Sequence, residues 1–243
     1  MKFKFLTPQL FFLFTFQCVF NTQAQTKENS LNEVFDKAIG KGNLGINNGT
    51  LHLNNLRSFD MTHRYMVNNY ISGDVLYDGQ TYTNVSLKYD LLKDILIAKA
   101  YNNDNLGINL ITAKTNYFVM NGKRLVNLNF NTTNNPKFIA GFYELNDIDN
   151  KLTLYIKHHK EAVEVLTQEG ISYKFTATNE FIVGFKGQYF KFDNQSDAEK
   201  VFPDFENEID NFYDNAALEK ENKVLFLKTL LKKLSNLLQN QTN

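Results

Sequence analysis

The sequence predicts an α+β domain dominated by antiparallel β-sheet, a sandwich or a partly open barrel, with a short N-terminal helix and C-terminal helices. Three observations predict it. Between Leu51 and Phe192 the chain breaks into roughly ten to twelve short runs separated by tight-turn signals. No segment of helical length and period falls between those runs, which argues against a parallel sheet with crossover helices. After Phe192 the apolar spacing changes to the three-and-four steps of helices.

At the N-terminus, Lys2 and Lys4 precede an apolar run containing Leu10 to Phe14, Phe16 and Val19-Phe20, and Thr22-Gln23-Ala24 supplies small residues where a signal peptidase reads. Residues 1–24 read as a secretory signal peptide cleaved after Ala24. A membrane anchor would need a run of about 20 apolar residues, and Pro8-Gln9 interrupts this one. A lipoprotein site at Cys18 would want a small residue where Gln17 stands. Residues 25–48 read as a flexible start and a short helix. Ser30-Leu31-Asn32-Glu33 is a capping box, Leu31, Val34, Phe35, Ala38 and Ile39 recur at helical spacing, and Gly40 and Gly42 stop the run.

Residues 49–193 read as the β domain. Asp78-Gly79 separates Val75–Tyr77 from Thr81–Thr83, Asn121-Gly122 separates Tyr117–Met120 from Arg124–Phe130, and Lys186-Gly187 separates Phe181–Phe185 from Gln188–Phe192. Each is a two-residue hairpin signal. Alternation assigns faces: Val85, Leu87 and Tyr89 against Ser86 and Lys88; Leu152, Leu154 and Ile156 against Thr153, Tyr155 and Lys157; Ile171, Tyr173 and Phe175 against Ser172, Lys174 and Thr176.

Residues 194–243 read as a helical segment packing on the β domain. Ser196 with Glu199 suggests a second capping box, Pro203 ends or restarts the helix, and Phe205, Ile209 and Phe212 give a short amphipathic stretch. Val224, Leu227, Leu231, Leu234 and Leu238 then mark a helix of about 17 residues, with Lys228, Lys232 and Lys233 outside the seam.

Composition narrows the function classes. Removing 24 residues from 243 leaves 219, enough for a real core. Lys2 and Lys4 leave with the leader, so the net charge moves from zero to −2. A nearly neutral chain has no electrostatic reason to bind nucleic acid or an anionic membrane surface. Cys18 is the only cysteine and is lost with the leader, which excludes disulfides, thiolate zinc sites and cysteine nucleophiles from the mature chain. The 22 Phe and 12 Tyr, with no Trp, suit pleated half-buried surfaces. Asn-x-Ser/Thr triplets at Asn84 and Asn131 read as chance.

The run Ser72-Gly73-Asp74-Val75-Leu76-Tyr77-Asp78-Gly79-Gln80-Thr81-Tyr82, followed by Val85–Asp90 and Asp94, resembles a family of uncharacterised exported envelope proteins of Gram-negative bacteria. That family's mark is a G-x-V-x-Y-x-G-x-x-Y…V-x-L-x-Y-D…D segment. Gly141-Phe142-Tyr143, Leu152–Tyr155 and Gly187-Gln188-Tyr189-Phe190 fit the same pattern, so the resemblance spans Gly49 to Leu238. The chain departs from it at Leu53-Asn54-Asn55, where a Tyr-Asn-Gly-like turn is expected. The resemblance implies an envelope location and no activity, cofactor or catalytic residue.

Candidate chemistry is sparse. His158 and His159 are neighbours on a strand and point to opposite faces, so they cannot clamp one metal together, and His158 reads as a strand-end residue. Asp74, Asp78, Asp90 and Asp94 cluster around two hairpins, a spacing open to glycoside hydrolysis or Ca²⁺ binding but also explained by turn chemistry. There is no G-x-S-x-G, P-loop or dinucleotide fingerprint. The tyrosines (Tyr77, Tyr82, Tyr89, Tyr143, Tyr155, Tyr173, Tyr189) fit cross-strand packing or a sugar or lipid site.

No catalytic, cofactor-binding or metal-binding residue is assigned, and no cofactor is expected. The leading expectation is a non-catalytic periplasmic or outer-membrane-associated binding protein with no membrane span in the mature chain, its partner another envelope protein. The candidate docking face is Leu227, Leu230, Leu231, Leu234 and Leu238 on the last helix. One alternative is a carrier enclosing a small apolar ligand among inward aromatics such as Tyr89, Phe130, Tyr173 and Phe190. A weaker one is a hydrolase using carboxylates of the Asp74–Asp94 region.

Overall fold

A computed structural model describes residues 40, 42, 44–101, 103, 105–129, 138–214 and 217–241. The expected leader and the expected helix at 31–39 lie outside them. Contacts divide the chain between Leu44 and Gly45, and every described strand and α-helix belongs to the unit from Gly45 onward.

Its strands are β1 (Thr50–Leu51), β2 (Ile71–Tyr77), β3 (Gln80–Asp90), β4 (Ile95–Lys99), β5 (Gly107–Asn109), β6 (Thr115–Met120), β7 (Lys123–Leu128), β8 (Gly141–Asp147), β9 (Leu152–Thr167), β10 (Gly170–Phe185) and β11 (Gln188–Lys191). They form one sheet of eleven strands in the order β1-β5-β4-β3-β2-β6-β7-β8-β9-β10-β11. Every ladder is antiparallel. The helices are α1 (Gln195–Val201), α2 (Glu206–Tyr213), α3 (Ala217–Glu221) and α4 (Lys223–Asn240). The α+β class and its dominance by antiparallel sheet are as the sequence predicts.

The tight turns explain the short connections. Both central residues have positive φ at Asp78-Gly79 (51° and 79°), Asn121-Gly122 (52° and 70°) and Lys186-Gly187 (51° and 74°). That is the type I′ geometry whose twist matches a hairpin.

The sheet is rolled. β3 and β8 stand four strands apart in its order, which on a flat sheet is about 19 Å. The rings of Tyr89 on β3 and Phe142 on β8 nevertheless meet edge-to-face with centroids 5.9 Å apart. Phe118 of β6 sits between them, 5.2 Å from Tyr89 and 5.1 Å from Phe142. All three rings are fully buried, with Leu87 and Leu125. The roll is not closed by strand pairing, since the edge strands β1 and β11 each pair on one side only.

A second core lies further along the same face of the sheet, since Phe118, Leu125, Glu144, Ile156 and Phe181 are successive cross-strand partners. Leu152, Leu154 and Ile156 of β9, with Phe181 and Val183 of β10, receive Ala198, Phe202, Phe205, Ile209 and the buried side of α4. The opposite face carries Tyr155 of β9 and Ile182 of β10, packed with Tyr143 of β8 and Tyr189 of β11. Cover on both sides explains the unbroken apolar run Phe181-Ile182-Val183.

The structure corrects several expectations. Leu227, Leu230, Leu231 and Leu234 are fully buried and Leu238 packs against them, so the chain's own sheet occupies the face read as a partner-docking surface. An apolar stripe this continuous is buried by the nearest apolar face available, and β9–β10 supply it. α1 begins two residues before the expected capping box: Asn194 Oδ1 accepts the Asp197 N–H at 3.0 Å and is the cap. Lys157 is buried although the alternation puts it on a wet face. At the far end of the β9–β10 hairpin the burial also departs: Ile171 and its cross-strand neighbour Leu166 are exposed, while Ser172 is buried. The hairpin has there run past the strands on either side, whose ladders stop at Ile156 and Ile182.

Candidate functional site

The site begins with a ladder that ends early. β8 and β9 pair from Asp147–Thr153 to Glu144–Ile156 and no further. Beyond that point Gly141 to Tyr143 pair with β7, and β9 continues with β10. The β3–β4 turn enters the opening, and Lys160 N–H donates to Leu91 O at 3.2 Å.

The turn is fixed from within. Asp90 Oδ1 accepts the N–H groups of Leu92 and Lys93 at 3.0 and 3.2 Å. Asp94 adopts φ of 56°, a left-handed value that an aspartate tolerates. Its carboxylate then receives the Tyr89 hydroxyl, the Lys157 ammonium and, at 3.3 Å, the Phe142 N–H. The last of these satisfies a donor left over by the missing ladder. Lys157 Nζ lies 5.1 Å from the Tyr143 ring centre. Gly141, at φ of 139°, leaves room for the Asp94–Lys157 pair.

A cleft of about 970 Å³ adjoins this opening. One wall is Leu92, Lys93, Asp94 and the Ile139–Gly141 stretch; another is Lys157, His159, Glu161 and Glu180; Thr112, Asn116, Asn127 and Asn129 close it. Asn127 is held by donating to the Thr112 and Thr115 carbonyls at 2.8 and 2.9 Å. The lining mixes cations, carboxylates and amides. Burial, with the Glu180 and Asp94 charges, raises the Tyr143 phenol and keeps it protonated; burial and Asp94 do the same to Tyr89.

A polar cluster lies on the other face of β8–β9. Glu144 receives Lys123 Nζ and lies 2.6 Å from His158 Nε2, whose Nδ1 lies 2.9 Å from Asn179 Oδ1. Burial alone would raise the Glu144 carboxyl; the His158 and Lys123 hydrogen bonds overcome it and bring it down to about 2. His158 is thus a mid-strand residue and not a strand end, while His159 faces the cleft.

The four predicted aspartates do four different things. Asp74 accepts the Asn84 N–H at 3.0 Å beside a bulge in the β2–β3 ladder. Asp78 sits in its turn and pairs with Lys114 at 2.7 Å in the open. Asp90 is fully buried against Arg64. Asp94 alone lines the cleft. Of the aromatics proposed to face a ligand, Tyr89 fills the roll, Phe190 packs on the helical core, Tyr173 is half-buried on the projecting hairpin, and Phe130 lies outside the described residues. Arg64, Lys157, Gly141 and Glu144 are the residues sequence reasoning missed. One signal pointed to the first: only three of the 26 basic residues are arginine.

Among the described residues, no helix is long and apolar enough to cross a membrane. No family model, curated protein or solved structure matches this chain.

Proposed function

We propose that this chain is an exported protein of the bacterial cell envelope that acts by binding another envelope protein, with the cleft beside Asp94 as the contact surface. The leader-like segment at residues 1–24 supports export. One observation supports the cleft. The side chains of Lys93, Asn116, Asn129, His159, Glu161 and Glu180 line it without a hydrogen bond or ion pair to any other described residue. Asp74, Asp78, Asp90 and Asp94, by contrast, are each committed to a partner within the chain. Donors and acceptors of both signs spread over such a volume suit a polar protein segment.

The same commitments weigh against a hydrolase built on Asp74–Asp94. The close packing of Tyr89, Phe118 and Phe142 weighs against an apolar carrier, since those rings occupy the space a ligand would need.

The test is affinity purification of the tagged protein from its own envelope, with mass spectrometry of what comes with it and of its N-terminus. A stoichiometric partner retained by wild type and lost by a K93E/E180K variant is expected, with Gln25 as the first residue. Equal retention by the variant would remove the cleft from the interaction. An uncleaved leader would overturn the export reading.

A further inference from the structure

The β9–β10 hairpin projects past its neighbours, and its two edges differ. Along the β10 edge runs the segment of residues 57–62 that precedes β2. Phe59 N–H donates to Tyr173 O and Tyr173 N–H to Arg57 O, both at 2.8 Å, and Phe175 N–H donates to Thr62 Oγ1 at 3.0 Å. Along the β9 edge, the last backbone contact is Lys160 N–H to Leu91 O at 3.2 Å. Past it, no described residue hydrogen-bonds to the backbone of that edge.

The phase of the ladder says which groups the edge presents. In an antiparallel ladder, opposite residues alternate between exchanging both backbone hydrogen bonds and pointing both of their groups away. Tyr173 gives its N–H and C=O to residues 57 and 59, so they point away from β9. Its cross-strand partner Glu164 therefore points its own N–H and C=O away from β10. Ala162 and Leu166, two residues to either side, do the same. Lys160 confirms the phase by donating outward to Leu91. Ala162, Glu164 and Leu166 thus offer three donors and three acceptors, none with a partner among the described residues. They repeat about every 7 Å, the spacing of an extended backbone. Most sheets blunt or cover such an edge, as this hairpin does on its β10 side.

The open edge leads into the cleft. Glu161 and Glu180 line the cleft without an ion pair to any described residue. Val163 follows Glu161 on the same face of β9 and is 54% exposed. On the other face Leu166 is 85% exposed.

We propose that the partner enters the cleft as an extended segment that adds a strand to the β9 edge. This rests on the reading of the cleft as the contact surface and states what the partner brings to it. Backbone hydrogen bonds to Ala162, Glu164 and Leu166 hold the segment, and its alternate side chains set the register. Its residue opposite Glu161 is cationic, and its residue two positions away, opposite Val163, is apolar.

The test is amide hydrogen exchange, followed by NMR, of the purified protein alone and in complex with the partner retained from the envelope. In the free protein, the amides of Ala162, Glu164 and Leu166 should exchange about tenfold or more faster than those of Glu161, Val163 and Val165, which point into β10. In the complex the same three should slow by about tenfold or more. E164P deletes one outward N–H and no bond of the β9–β10 ladder, while E164A removes the same side chain and keeps the N–H. Loss of the partner by E164P and its retention by E164A support the added strand, and should E164P fail to fold, the exchange pattern decides. Edge amides that are already slow in a monomeric free protein overturn the proposal. A free protein that dimerises with those three amides slowed gives the edge to a second copy, and overturns it too. A partner lost by K93E/E180K but bound without slowing the edge amides overturns the strand and leaves the cleft standing. No partner retained by wild type overturns both.

Discussion

Replacing Gly141 with alanine puts a methyl group where Asp94 already is. An ideal Cβ there falls on Asp94 Oδ2 and 2.5 Å from Lys157 Nζ. Neither can yield cheaply, because Asp94 also holds Tyr89 and the Phe142 N–H, and Lys157 is 5% exposed. Two costs result. A φ of 139° is glycine territory, and forcing alanine into it costs about 1–3 kcal/mol. Separating the Asp94–Lys157 pair leaves a buried ammonium uncompensated, at about 3–5 kcal/mol in full burial. Asp94 is 23% exposed and rehydrates in part, so about 2–3 kcal/mol is the better figure. The sum, about 4 kcal/mol, is a large share of a domain's stability of about 5–15 kcal/mol. Gly122→Ala is the control. Its φ is also positive, at 70°, but nothing lies within 4 Å of the added methyl, so only a left-handed cost of about 1–2 kcal/mol applies. Urea denaturation of the two variants beside wild type measures the difference. If G141A loses no more than G122A, the account of how Asp94 plugs the opening between β8 and β9 is wrong.

Three further outcomes are expected. Glu144 titrates at about 2 in the folded chain against an ordinary 4.5, so ionised Glu144 contributes about 3 kcal/mol above pH 4.5 that is lost as pH falls toward 2. E144Q should flatten acid denaturation curves across that window; an unchanged slope counts against the assignment. Leu231→Ala, at a fully buried site under the sheet, should cost about 2–5 kcal/mol by thermal melting. Leu225→Ala on the same helix, at 48% exposure, should change stability by about 0.5 kcal/mol or less, and equal effects would contradict the burial of the seam. D78N breaks a pair exposed at 57% and 45% and should leave stability nearly unchanged, while D90N strands Arg64 in the interior and should cost about 3–5 kcal/mol. Similar losses in the two variants would undo the contrast between turn and core aspartate.

What was legible in the sequence is what local chemistry decides. Asp78-Gly79, Asn121-Gly122 and Lys186-Gly187 announce their turns because few other pairs tolerate two positive φ values in succession. The leucine seam of α4 announces a helix because its period does. The seam could not say which surface covers it, and the sheet that does lies some 70 residues earlier in β9. The site was less legible, because it is built from distant pairs. Asp94 and Lys157 are 63 residues apart, and the Arg64 partner of Asp90 lies in a stretch without periodicity. Turn chemistry explained Asp90 only halfway: one oxygen caps the turn, and the other faces the arginine. The arginines were the overlooked clue. In a chain that otherwise uses lysine, Arg57 pairs with Glu169, Arg64 with Asp90, and Arg124 lies 4.2 Å over the Tyr117 ring.

The parity of β9 limits how this protein can change over generations. Ile156 and His158 face the helices and the Glu144 cluster, while Lys157 and His159 face the cleft. Inserting or deleting one residue upstream in the strand would exchange the two sets, driving an ammonium under α4 and leaving an isoleucine in its place beside Asp94. Length variation in this hairpin is therefore tolerable in two ways. The Thr167–Gly170 tip can vary, and the arms can grow or shrink by two residues in each strand at once. A lineage that altered one arm alone would lose the helical core and the cleft together.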